Sequence, residues 1–266
     1  MAGVHWHQAD LLAPGSVARL IREAQPTHLV HMAWIAKPGI YWNSPENEQW
    51  FKASCELFEA FAAAGGRRLF AAGTCAEYDW TADGVLIEDS SPLKPHTAYG
   101  RGKLETWRYV QGLVQARRLS AAWGRVFFPY GPHEPAVRLI PSVICSLLRG
   151  DPALCTSGRQ RRDFLHVDDV AAAITAVLNS DLRGAVNIAS GQAIAVREVV
   201  QMIGRMIGRP ERVRLGAIAD RPDDCPLLVG DIRRLREEVG WNPQYSLEQG
   251  LMQTVEWWQQ RQSNGA

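Results

Sequence analysis

Tyr99 and Lys103 stand four residues apart in Tyr99-Gly100-Arg101-Gly102-Lys103. In a helix that spacing sets a phenol and an ammonium on one face. A phenol of reference pKa about 10 is a poor base at neutral pH, but a cation within about 4–6 Å stabilises the phenolate and lowers that pKa. The pair predicts an acid/base site in which Lys103 activates Tyr99. The same spacing is common on solvated helix faces, so the surrounding elements must supply the rest of the case. A second candidate run is Thr74-Cys75-Ala76-Glu77-Tyr78, which follows a strand-like Arg68-Leu69-Phe70-Ala71-Ala72-Gly73. Open α/β sheets place ligands at the C-terminal ends of their strands. No His/Asn constellation accompanies Cys75, so it is not read as a nucleophile.

The chain of 266 residues, 46% hydrophobic and 21% charged, is long enough to bury one large domain, or one domain with a smaller lobe. A formal net charge of +1 advertises neither nucleic acid nor a membrane surface as partner. Cys55, Cys75, Cys145, Cys155 and Cys225 are odd in number and widely spaced, without a Cys-x-x-Cys pair or a histidine at metal spacing. Reduced thiols, no metal and a cytoplasmic location are expected. No apolar run has the length of a membrane span, and the start lacks a signal-like pattern.

Several elements must position these residues. Val4–Ala9 alternates weakly and reads as a strand, and Ser16–Ala24 carries Val17, Leu20 and Ile21 at helical spacing. His28–Trp34 is a mostly apolar run of the kind found in a strand buried on both faces, which suggests a parallel sheet. Ser44-Pro45-Glu46 predicts a helix start, and Trp50, Phe51, Ser54, Leu57, Phe58 and Phe61 form its apolar stripe until Gly65-Gly66. Loop chemistry fills Asp79–Pro95, Thr97 caps a helix bearing Tyr99, Lys103, Trp107 and Val110, and Leu119–Phe128 is a further strand. Beyond Pro129-Tyr130-Gly131-Pro132 the elements shorten: helices near Ile140–Leu148, Asp169–Leu178, Val199–Ile207 and Leu247–Trp258, with strands at Val186–Ala189 and Val213–Leu215. A second, smaller lobe is expected there.

Taken together, Asp10-Leu11, His31-Met32-Ala33-Trp34, Thr74-Cys75-Ala76-Glu77-Tyr78, Tyr99-x-x-x-Lys103, Arg125–Pro132, Arg162–Asp169, Asn187–Gly191, Arg221-Pro222-Asp223-Asp224 and Gly240-Trp241-Asn242-Pro243 follow one order. In that order the chain resembles the extended short-chain dehydrogenase/reductases, specifically the NAD(P)-dependent sugar-nucleotide epimerases, dehydratases and ketoreductases. The resemblance implies an α/β fold with a doubly wound, parallel, Rossmann-like sheet. It implies an incomplete dinucleotide-binding domain over residues 1–130. A substrate-binding lobe follows over 131–266, with 162–190 returning to the sheet.

By the same resemblance, Thr74 binds the reacting substrate oxygen and aligns it with Tyr99, and Tyr99 takes or returns the proton. Lys103 holds the nicotinamide ribose. Asp10 and Leu11 contact the adenine, Met32, Ala33 and Trp34 border the adenosine ribose and pyrophosphate, and Phe127 lies against the nicotinamide. Arg162 and Arg221 grip a nucleotide diphosphate, a task that suits planar guanidinium groups. Glu77 contacts the sugar or is structural. NAD or NADP is the implied cofactor and a nucleotide-diphosphate sugar the implied substrate. Homodimerisation through Trp50–Ala64 and Thr97–Ala116 is expected as well.

Two departures qualify the match. Phe128 stands where many members carry a substrate-binding asparagine. The Gly-x-x-Gly-x-x-Gly turn that cradles the cofactor pyrophosphate is absent. By that alignment about 50 residues, the first βαβ unit, are expected before Val4. A shortened start, a partner chain that supplies the piece, and a cofactor-free remnant remain open explanations. Cys75-Ala76 stand where dehydratases carry an acidic pair, so a 4-epimerase or 4-ketoreductase is favoured. The alternative is a non-catalytic scaffold that binds a nucleotide sugar.

Overall fold

In the computed structural model, which describes residues 3–82, 84–117, 119–222 and 224–263, helix α1 (Ser16–Ala24) turns Val17 and Ile21 inward. Strand β1 (His28–His31) follows, then α2 (Glu46–Ala63). The start of α2 forms as its residue types demand, with the Ser44 hydroxyl accepting the Glu46 N–H at 3.2 Å. Strand β2 (Arg68–Thr74) leads into a 3-10 turn at Cys75–Glu77. Helix α3 (Ala98–Arg117) is capped by Thr97, whose hydroxyl accepts the Gly100 N–H at 3.0 Å. Strand β3 (Ser120–Val126) completes this part of the chain.

Two segments differ from expectation. Val4–Ala9 joins no sheet among the described residues, and Val4 and Trp6 are 48% and 86% exposed. Its weak alternation buries no face, so nothing fixes a register. The run from His28 forms a ladder only through His31, with β1 at the edge of a four-stranded sheet whose order is β1-β2-β3 and then Gly184–Ile188. β1 pairs in parallel with β2, Leu29 opposite Leu69, and its Val30 is 41% exposed. One face of this edge strand is therefore open, and Met32-Ala33-Trp34 leaves the ladder as a loop.

Beyond β3 the expected single strand over Leu119–Phe128 breaks at Phe127, whose N–H goes to the Ile188 carbonyl. Next come β4 (Phe128–Tyr130), α4 (Leu139–Arg149), β5 (Ala153–Leu154), β6 (Arg161–Arg162) and β7 (Phe164–His166). They are followed by α5 (Val167–Leu178), β8 (Gly184–Ile188), β9 (Ile194–Ala195) and α6 (Val196–Met206). The last elements are β10 (Val213–Arg214), β11 (Leu227–Leu228), α7 (Arg233–Glu237) and α8 (Leu247–Ser263). β4 pairs in parallel with β7, and β6 lies between β11 and β9.

The chain divides into two units. The first comprises Met1–Asp79, Leu93–Arg125 and Val177–Ala185, and the second Trp80–Pro92, Val126–Ala176 and Val186–Ala266. In the first, Phe58 and Phe61 of α2, Leu104, Trp107 and Val110 of α3, and Leu69 of β2 form one buried cluster. Removing such side chains from water is the main term that holds these helices to the sheet. In the second, Ile144 and Leu147 of α4, Val199 and Ile203 of α6, and Leu251 and Val255 of α8 form another. The architecture is α/β with a parallel, Rossmann-like sheet. No helix among the described residues is long and apolar enough to cross a membrane.

Candidate active site

In the first unit the end of β2 and the start of α3 bring Thr74, Tyr99 and Lys103 into one constellation. Thr74 is held by a capping box: its hydroxyl accepts the Ala76 N–H at 3.2 Å, and its own N–H donates to Glu77 Oε1 at 2.9 Å. The first turn of α3 packs against this turn, which sets Tyr99 beside the end of β2 where Thr74 stands. Close approach of α3 to this turn requires glycine at position 100, where a Cβ would lie 2.3 Å from the Ala76 carbonyl oxygen. The Tyr99 ring meets Tyr41 and Trp42 edge-on, with centroids 4.9 and 5.8 Å away.

Lys103, one turn further along α3, is 3% exposed. Its Nζ donates to the Ala72 carbonyl at 2.8 Å and lies 4.1 Å from the centroid of the Trp34 ring. Burial lowers Lys103 to about 7, against the pull of the Glu77 carboxylate toward the charged form. The expected depression of Tyr99 is corrected by the same physics. Burial, reinforced by the Tyr41 phenol, pushes Tyr99 above the ordinary tyrosine range, and the nearby Thr74 hydroxyl offsets this only in part.

His31 ends β1 beside this group. It is 4% exposed, its Nε2 shares a hydrogen bond with Ser54 Oγ at 2.9 Å, and burial, helped by the Lys103 charge, lowers it to about 3.

The Glu77 carboxylate is engaged by protein donors. It is fully buried, and its oxygens take the Thr74 N–H, the Trp123 Nε1–H at 2.9 Å and the Arg125 Nε–H at 2.8 Å. Arg125 Nη1 in turn donates to the Tyr78 hydroxyl at 3.1 Å. The carboxylate is thus a hub under the turn that carries Thr74. Trp123 and Arg125 were not singled out as site residues from sequence, and the only available signal was a charged residue inside an apolar strand.

Of the residues expected at a cofactor, Met32 and Ala33 are exposed just past the C-terminal end of β1, and Trp34 is half-buried over Lys103. Asp10 is exposed and accepts the Leu12 N–H at 2.9 Å, and Leu11 packs on the first unit's core. In the second unit Phe127 is buried. Arg162 is nearly buried, ion-paired to Asp224, donates to the Cys225 carbonyl at 2.7 Å, and lies 5.5 Å over the Phe128 ring. Arg221 is exposed, and Asp223 of the same motif lies outside the described residues. Among the described residues no cluster of His, Cys, Asp and Glu could hold a metal ion, and the cysteines are free thiols.

A model of the NAD dependent epimerase/dehydratase family matches residues 1–189. A dTDP-glucose 4,6-dehydratase of Xanthomonas campestris pv. campestris is 30% identical over 180 residues, 64% of this chain and 51% of its own length. A UDP-glucose 4-epimerase of Streptomyces lividans is 30% identical over 228 residues, 79% of this chain and 66% of that protein. The chain thus spans about half the length of the dehydratases it matches. Among solved structures, a Thermus thermophilus UDP-glucose 4-epimerase in complex with NAD superposes with TM-score 0.85 at 25% identity, covering 97% of this chain and 86% of that one. A Thermotoga maritima UDP-glucose 4-epimerase with UDP-glucose gives 0.86 at 20% identity, covering 97% and 84%, which bears on the fold alone. With its Thr74, Tyr99 and Lys103 in one constellation, the chain belongs to the NAD dependent epimerase/dehydratase family, a sugar-nucleotide branch of the extended short-chain dehydrogenase/reductases.

Proposed function

We propose that this chain carries the proton-transfer site of an NAD(P)-dependent oxidoreductase or epimerase acting at C4 of a nucleotide-diphosphate sugar. The meeting of Thr74 at the end of β2 with the first turn of α3, which carries Tyr99 with Lys103 one turn further on, is the observation that supports the reading most directly. Thr74 orients the reacting oxygen, and the Tyr99 hydroxyl exchanges a proton with it. A phenol is protonated at neutral pH, and burial shifts Tyr99 further toward that form, so Tyr99 can donate to a C4 keto oxygen, a step common to a 4-ketoreductase and the second half of a 4-epimerase.

Lys103 fits a cofactor ribose. An ammonium carries three donors, and Ala72 takes one while Trp34 covers a face, which leaves donor capacity for hydroxyls. Lys103 and the loop Met32-Ala33-Trp34 would hold NAD or NADP, with Asp10, Leu11 and Phe127 as further contacts. Bound NAD(P) supplies a hydride acceptor and donor. Arg162 and Arg221 are assigned to the diphosphate of the substrate. The same reading includes a homodimer through α2 and α3 and a cytoplasmic setting, and light scattering checks the dimer.

The test supplies UDP- and dTDP-hexoses with NAD(P) and follows C4 by NMR. Inversion at C4 without net cofactor turnover marks the epimerase. Stoichiometric oxidation of NAD(P)H by a 4-keto sugar marks the reductase. Nucleotide-sugar binding that is indifferent to NAD(P), without turnover, replaces both with a scaffold.

A further inference from the structure

Lys103 is a buried cation whose hydrogen-bond partner is a neutral carbonyl rather than a carboxylate. A desolvated ammonium is costly unless something favours its charge. The Trp34 indole supplies such a group, since the negative face of an aromatic ring attracts a cation within about 6 Å, and Nζ lies 4.1 Å from the ring centroid.

The indole is itself fixed. Trp34 Nε1 donates to Asn47 Oδ1 at 2.8 Å, and Asn47, 3% exposed in the first turn of α2, donates to the Tyr41 and Ser44 carbonyls at 2.7 and 2.8 Å. Trp50 flanks the indole with centroids 6.5 Å apart. The ring face is thus fixed by the loop and by α2, and the indole lies against α3 at Gly102, where a Cβ would come within 3.2 Å of Trp34 Cζ2.

We propose that Trp34 is a positioning residue for Lys103, its anchored indole face holding the buried ammonium charged and against the Ala72 carbonyl. The proposal rests on reading Lys103 as a site residue, but it concerns the state of the lysine and not turnover. Other ionisable groups around Lys103 are His31 at the end of β1, Glu77 in the turn after β2, and Tyr99 on α3 itself. Glu77 favours the charged lysine, while His31 is neutral above about 3. Trp34 is the aromatic contribution added to these, and it is separable from them by substitution.

The chain has four lysines, Lys37, Lys52, Lys94 and Lys103, so 13C/15N-lysine labelling of the intact protein gives few side-chain signals. Lys52 and Lys94 are highly exposed and serve as internal references. A pH titration of the Lys103 signal is compared in the parent, Trp34→Phe and Trp34→Leu. Loss of the ring is expected to lower the Lys103 midpoint by about one pH unit in Trp34→Leu, with Trp34→Phe falling between. Incorporation of 5-fluorotryptophan withdraws electron density without changing ring shape. It is expected to lower the midpoint in the unsubstituted chain, so a leucine variant that fails to fold leaves the proposal testable. A Lys103 midpoint unmoved by fluorotryptophan, or equal in the phenylalanine variant and a folded leucine variant, overturns it.

Discussion

Glu77 Oε2 accepts a hydrogen bond from Arg125 Nε at 2.8 Å, with the two side chains 0% and 1% exposed. Removing one member of such a pair leaves a buried, uncompensated charge, which costs about 3–5 kcal/mol. Glu77→Leu and Arg125→Met are each expected to lose that much unfolding free energy in urea, and the double variant less than the sum. Strictly additive losses would contradict a coupled pair.

Gly73 marks the tightest approach in the same hub. A Cβ there would lie 2.1 Å from Trp123 Nε1 and 2.5 Å from Glu77 Oε1, neither of which has room to give. Gly73→Ala is expected to cost about 1–3 kcal/mol through forced repacking. A melting temperature equal to that of the parent would show that the hub relaxes freely.

His31 links the site to pH. Its folded value of about 3 lies below the ordinary 6.5, so between these values the unfolded state binds a proton that the folded state does not. Stability then rises with pH through that window, and this contribution is lost as pH falls from 6.5 toward 3. His31→Gln, which keeps a hydrogen-bonding group near Ser54, is expected to have a shallower acid limb, by about 1.4 kcal/mol per pH unit at most. Parallel stability curves for parent and variant between pH 4 and pH 6 would contradict a buried neutral imidazole, a range set by about one unit inside each limit.

The elements that carry Thr74, Tyr99 and Lys103 were legible in the sequence because their signals are local, the Thr97 cap of α3 and the apolar strand ending at Thr74. The Glu77 hub was not, since Glu77 and Arg125 are 48 residues apart and meet only because β2 and β3 are neighbours in the sheet. Nor could spacing show that Tyr99 is driven up: a four-residue interval places two groups on one face but says nothing of how far each is taken out of water. Val4–Ala9 was misread because alternation alone does not supply a buried face. The pairing of Trp34 with Lys103 depends on a loop whose path no periodicity records.

The most direct measurement compares the parent with Tyr99→Phe in a single turnover, following hydride transfer at 340 nm with NAD(P) and the nucleotide hexose that the parent accepts. Loss of the proton-exchanging hydroxyl is expected to slow the step by about 10²–10⁴-fold, while calorimetry shows the sugar bound as before. A Tyr99→Phe protein that transfers hydride at the parental rate would contradict the assignment of Tyr99 as the acid/base.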